Sequence, residues 1–127
     1  MTPGQYILVV DDDDDFREAL AEALSEGGYP VQQAPDGAAA LRRVADEQPG
    51  LVLLDLKMPV MDGWTVMERM RQDPRSAATP ILILSAYGFE WEAELLGVQG
   101  YIPKAGLQLD GILERVRNVA GDPPMRH

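Results

Sequence analysis

Three tetrapeptides fix most of what this chain can become. Ile7–Val10, Leu51–Leu54 and Ile81–Leu84 are apolar at every position, and each ends abruptly at a polar residue: Asp11, Asp55 and Ser85. Four residues are too few for a buried helix, and the lack of polar alternation rules out a strand with one wet face. Such runs read as strands covered on both sides, the situation of a parallel sheet. Weaker apolar runs near Val31 and at Tyr101–Ile102 add two more candidate strands.

Helical patterns fill the intervals. Phe16, Ala19, Leu20, Ala23 and Leu24 form an apolar stripe, stopped by Gly27-Gly28. Asp36 is placed to cap a helix running to about Glu47, with Ala40, Leu41 and Val44 facing inward. Trp64–Met70 and Leu109–Val119 read as two further helices, and Glu90–Leu96 as a shorter one. Pro80 disfavours a helical Thr79 and so frames the start of the strand at Ile81. Strand and helix alternate five times. Parallel strands joined by right-handed crossovers give an α/β fold, a doubly wound (βα)5 sandwich around a five-stranded parallel sheet. A chain of 127 residues with 46% hydrophobic and 25% charged residues suits one domain, read here as residues 1–120 with 121–127 as a C-terminal tail or linker start.

Composition narrows the chemistry. A net charge of −10 argues against direct nucleic-acid binding and suits a cation site. The absence of cysteine removes disulfides and thiolate metal sites, and the single histidine, His127, falls in the tail. No basic leader and no apolar run approaching ~20 residues is present, so the expectation is a cytoplasmic chain with no membrane contact.

In a parallel sheet the C-terminal ends of all strands lie on one edge, where ligands bind. The residues that follow the strands are Asp11 and Asp12, Asp55, Ser85 and Lys104. Lys57 and Lys104 are the chain's only lysines, and both follow strands closely. Three carboxylates at one rim repel: at ~5 Å and an effective dielectric near 20, each pair costs roughly 3 kcal/mol before screening. A hard cation with oxygen ligands relieves this, and Mg2+ suits a site with few fixed protein contacts. Asp55 would then serve as a nucleophile, Ser85 as a hydrogen-bond donor to a phosphoryl oxygen and Lys104 as a neutralising charge, the logic of aspartyl-phosphate formation. Asp13, Asp14 and Asp15 are assigned to the helix N-terminus, where acidic groups meet the dipole favourably. An EF-hand reading of Asp11, Asp13, Asp15 and Glu22 fails, because Phe16 stands where glycine is required and a strand precedes the run.

The segments ILVVDDDDDFREAL, LVLLDLKMPVMDG, ILILSA and GYIPK, in this order, resemble the response-regulator receiver domain of two-component signalling across residues 5–120. The resemblance implies the flavodoxin-like strand order 2-1-3-4-5 and Asp55 as phosphoacceptor. It implies Asp12 as a direct Mg2+ ligand, Asp11 as one through water, and the Lys57 backbone carbonyl as another. Ser85 would be the hydroxyl that moves to the phosphoryl group, Lys104 its ion-pair partner and Tyr101 the switch aromatic. The partners implied are a histidine kinase or histidine phosphotransfer protein as donor and a downstream protein as receiver of the signal. Two features depart from the family pattern. Ala105-Gly106 replaces the usual proline after the lysine, and only 15 positions separate Ser85 from Gly100, which shortens the helix between them. Two other classes compete: a degenerate receiver acting as a constitutive interaction module, and an aspartyl-nucleophile phosphatase. The phosphatase class needs a carboxylate two positions after the nucleophile, where Lys57 stands.

Overall fold

The computed structural model describes residues 1–85, 97–104 and 109–124, with Ser85 described through its backbone alone. The expected helix over 90–96, the peptide joining Lys104 to Ala105, the side chain of Ser85 and His127 lie outside the described residues. Five strands, β1 (Ile7–Val10), β2 (Val31–Ala34), β3 (Leu51–Asp55), β4 (Ile81–Ser85) and β5 (Gly100–Pro103), form one parallel sheet in the order β2-β1-β3-β4-β5. Four helices are described: α1 (Asp14–Glu26), α2 (Gly37–Asp46), α3 (Gly63–Gln72) and α4 (Leu109–Ala120). None among the described residues is long and apolar enough to cross a membrane.

The lack of alternation in the apolar runs has a direct structural cause. Leu8, Val10, Val52, Leu54, Ile81 and Ile83 point to one face, where Ala40 and Val44 of α2 and Val66, Met67 and Met70 of α3 cover them. Ile7, Val9, Leu51, Leu53, Leu82 and Leu84 point to the other, against Leu20 and Leu24 of α1 and Ile112 and Val116 of α4. Successive residues of a strand therefore enter two separate cores, and every position must be apolar. Each such side chain contributes about 1.5–3 kcal/mol by burial.

Three helices begin at the same edge of the sheet by the same device. Asp13, Asp36 and Asp62 each accept a hydrogen bond from the backbone N–H three residues on, at Phe16 (3.1 Å), Ala39 (2.7 Å) and Thr65 (2.9 Å). The positive ends of α1, α2 and α3 thus rise from the C-terminal edge of the sheet, where strand order reverses between β1 and β3.

The first helix starts at Asp14 with Asp13 as its cap and Asp14 and Asp15 in its first turn, as expected of the acidic run, but its rotation corrects the expected stripe. Its buried face carries Arg17 and Ala21 along with Leu20 and Leu24, while Ala19 faces solvent. Alanines on both flanks gave the periodic pattern too little contrast to fix the rotation of the helix. Beyond α4, the Tyr29 hydroxyl donates to the Gly121 carbonyl at 2.6 Å.

Candidate functional site

The rim expected from topology exists. Asp11 follows β1 directly, with its amide held by the Ala34 carbonyl at the end of β2 (3.2 Å), and its side chain is fully buried. Asp55 closes β3, paired in register with Leu84 of β4, and is 6% exposed. Asp12, one residue past Asp11, is exposed. One carboxylate oxygen from each of the three lies within 4.8 Å of the others. Lys104, just beyond β5, brings its ammonium to 2.8 Å from Asp11 Oδ2 and 3.6 Å from Asp55 Oδ2. The same ammonium sits 4.6 Å from the centroid of the Phe16 ring, an arrangement that stabilises a partly desolvated cation.

Backbone donors hold the two buried carboxylates in place. Asp11 Oδ1 accepts from the Asp13 N–H at 2.9 Å, and Asp55 Oδ1 accepts from the Lys57 N–H at 3.1 Å. Each bond spans two residues and turns the chain sharply after the strand. Gly63, at the start of α3, donates to the Leu56 carbonyl at 3.0 Å. A Cβ at that position would collide with the Asp55 carbonyl oxygen and the Leu56 backbone, so only glycine lets α3 pack this closely behind the acidic residue.

The electrostatics follow from this packing. Burial, then the neighbouring Asp11 charge, push the Asp55 carboxyl from 3.8 up to about 6, with Asp12 adding to the rise; Lys104 and the Lys57 amide hold it partly down. Burial pulls the Lys104 ammonium down, but the contacts with Asp11 and Asp55 outweigh it and raise its pKa. Asp11 Oδ2 is buried and touches Lys104 as a charge contact without hydrogen-bond geometry. That oxygen and the Asp55 carboxyl, gathered with Asp12 within 4.8 Å, fit a divalent cation. The donor set is oxygen alone, which suits Mg2+ over softer metals.

The expected site residues divide into four groups. Asp11, Asp12, Asp55 and Lys104 come together. Lys57 contributes its amide to Asp55, and with Asp12, Met58, Asp62 and Trp64 it lines an open hollow of about 530 Å3 beside the carboxylates. Tyr101 stands apart, half-buried against the core under α2 and α3. Ser85 ends β4 opposite Pro103, the residue before Lys104. Two neighbours of the site escaped the sequence reading, Arg17 and the ring of Phe16 as a seat for Lys104. Arg17 had a signal: three residues before Leu20 and four before Ala21, it shares their buried face.

The family model for the response regulator receiver domain matches residues 7–117. The chain is 40% identical over 114 residues to the response regulator MprA of a Mycobacterium species (strain KMS), covering 87% of this chain and 48% of that protein. It is 43% identical over 82 residues to the DNA-binding dual master transcriptional regulator RpaA of a Synechocystis species, covering 65% of this chain and 34% of that protein. The chain therefore spans half or less of the length of these relatives. Among solved structures it is similar to the response regulator TrrA of Thermotoga maritima in complex with Mg2+ and BeF, with a TM-score of 0.78 and 32% identity over 91% of this chain and 98% of that one.

Proposed function

Because the chain belongs to the response regulator receiver family, we propose that it accepts a phosphoryl group on Asp55 and thereby switches a surface read by a downstream protein. One observation carries this reading: the Asp55 carboxylate stands at the end of β3 within the Asp11–Asp12–Asp55 cluster, with the Lys104 ammonium 3.6 Å away. A carboxylate so placed can attack phosphorus while a fixed cation faces the charge that develops.

The donor is a phosphohistidine on a histidine kinase or phosphotransfer protein. An Asp55 oxygen forms the new O–P bond, the P–N bond breaks, and its electron pair returns to the imidazole. Burial makes Asp55 a more basic carboxylate than one in water, yet it stays largely ionised at neutral pH. Asp12, Asp55, the Lys57 carbonyl and, through water, Asp11 would hold Mg2+. When bound, Mg2+ neutralises phosphoryl oxygens as a Lewis acid. Lys104 takes up one oxygen of the transferred group and Ser85 another, and Tyr101 follows Ser85. The reaction belongs in the cytoplasm, where kinase and receiver meet.

The test is direct. With Mg2+ and acetyl phosphate the intact mass should rise by one phosphoryl group, and Asp55→Asn should abolish the gain. Equal labelling of Asp55→Asn and wild type would overturn the assignment.

A further inference from the structure

Arg17 is 8% exposed, on the buried face of α1. A guanidinium out of water is costly unless its donors are satisfied. Its ion-pair partner among the described residues, Asp14 at 2.7 Å, has a side chain 73% exposed and so compensates little. The buried contacts lie elsewhere. Nη1 donates to the Asp11 carbonyl at 2.9 Å, and Nε donates to Gln33 Oε1 on β2 at 3.0 Å.

The Asp11 carbonyl belongs to the peptide that joins Asp11 to Asp12. Asp11 is thus held on both sides of its Cα from different elements, its amide, in the preceding peptide, by Ala34 of β2 and its carbonyl by Arg17 of α1. Asp12 is exposed and enters no packed core, so the orientation of this peptide sets where its carboxylate points. The Asp13 N–H, one residue further, fixes Asp11 Oδ1. A planar fork reaching both Gln33 and the Asp11 carbonyl holds the peptide in one plane, as a lysine could not.

We propose that Arg17 is a positioning residue for the acidic pair: through the Asp11 carbonyl it aims Asp11 and Asp12 at the cation. This rests on the reading of Asp11, Asp12 and Asp55 as the Mg2+ and phosphoryl site. Arg17 acts on Mg2+ affinity and touches neither donor nor phosphoryl group. Groups that orient metal ligands from behind change affinity by roughly ten- to a hundredfold when removed.

The experiment uses the whole chain as wild type, Arg17→Met and Arg17→Lys. Mg2+ binding is measured by calorimetry, and Asp55 phosphorylation by acetyl phosphate is followed against Mg2+ concentration. Arg17→Met should raise both the dissociation constant and the half-saturating Mg2+ concentration about tenfold. The rate at saturating Mg2+ should stay within about twofold of wild type, because the step itself is untouched. Arg17→Lys, which keeps the charge and loses the fork, should shift both constants in the same direction by a smaller factor. A folded Arg17→Met with wild-type affinity, or with a lower saturated rate at unchanged affinity, overturns the inference. Should Arg17→Met fail to fold, Arg17→Lys decides, with wild-type affinity overturning it and a shift supporting it. Wild type that binds no Mg2+ overturns the site reading itself, and this inference with it.

Discussion

Lys104 is paired with Asp11 more closely than with Asp55: its ammonium lies 2.8 Å from Asp11 Oδ2 and 3.6 Å from Asp55 Oδ2. Without a divalent cation, this lysine is the counter-charge of the cluster. Replacing it by glutamine leaves the fully buried Asp11 carboxylate beside Asp55 with no ammonium. Unfolding by urea in EDTA should show Lys104→Gln destabilised by about 1–3 kcal/mol. Millimolar Mg2+ should then stabilise the variant more than wild type, because the cation no longer displaces a lysine. Equal stability of the two proteins in EDTA would show that the pair contributes nothing.

The Asp55 carboxyl titrates at about 6 instead of 3.8, so the folded chain holds a proton that the unfolded chain has already released. Metal-free stability from this group is therefore greatest below pH 4 and is lost as pH rises through 6. Between pH 5 and 7.5 the loss is roughly 1–1.5 kcal/mol. Asp55→Asn should remove that part of the slope, read as the difference in urea midpoint at the two pH values. Parallel pH profiles for variant and wild type would show that Asp55 titrates normally.

Two glycines should respond oppositely to alanine. At Gly63 a Cβ meets the Asp55 carbonyl and the Leu56 backbone, and backbone cannot step aside as a side chain does. Gly63→Ala should cost about 3 kcal/mol and slow phosphorylation by moving Asp55. At Gly111, inside α4, a Cβ meets nothing within 4 Å. Gly111→Ala should stabilise by about 0.5–1 kcal/mol through helix propensity alone. Thermal melts of the two variants test both signs.

The sheet was legible because burial on two faces demands residues apolar at every position, and the C-terminal edge was legible because parallel strands all end there. That is how Asp11, Asp12, Asp55 and Lys104 could be assembled from sequence. Arg17 was legible as part of the buried face of α1 but not as a site neighbour, since its contact there is with the Asp11 backbone carbonyl, which no side-chain pattern encodes. The preference of Lys104 for Asp11 over Asp55 was also hidden. It depends on less than 1 Å of side-chain placement, which no spacing rule encodes.

Asp12 is the exposed member of the cluster, and Asp11 and Asp55 are its buried ones. Burial fixes the two inner carboxylates whether or not a cation is present, whereas Asp12 can relax into water. Its repulsion of Asp55 is real but ranks below burial, Asp11 and Lys104 among the influences on that carboxyl. Mg2+ should raise the melting temperature of wild type by mass action, contributing about 1.4 kcal/mol at ten times its dissociation constant. Asp12→Ala should remove most of this response, because it takes away a charged ligand that the buried pair cannot replace. In EDTA the same substitution should change stability by less than about 1 kcal/mol, in the stabilising direction, since an exposed charge is well screened. An undiminished Mg2+ response in Asp12→Ala would mean that the cation is held by Asp11 and Asp55 without it. A wild type indifferent to Mg2+ would remove the cation from the site altogether.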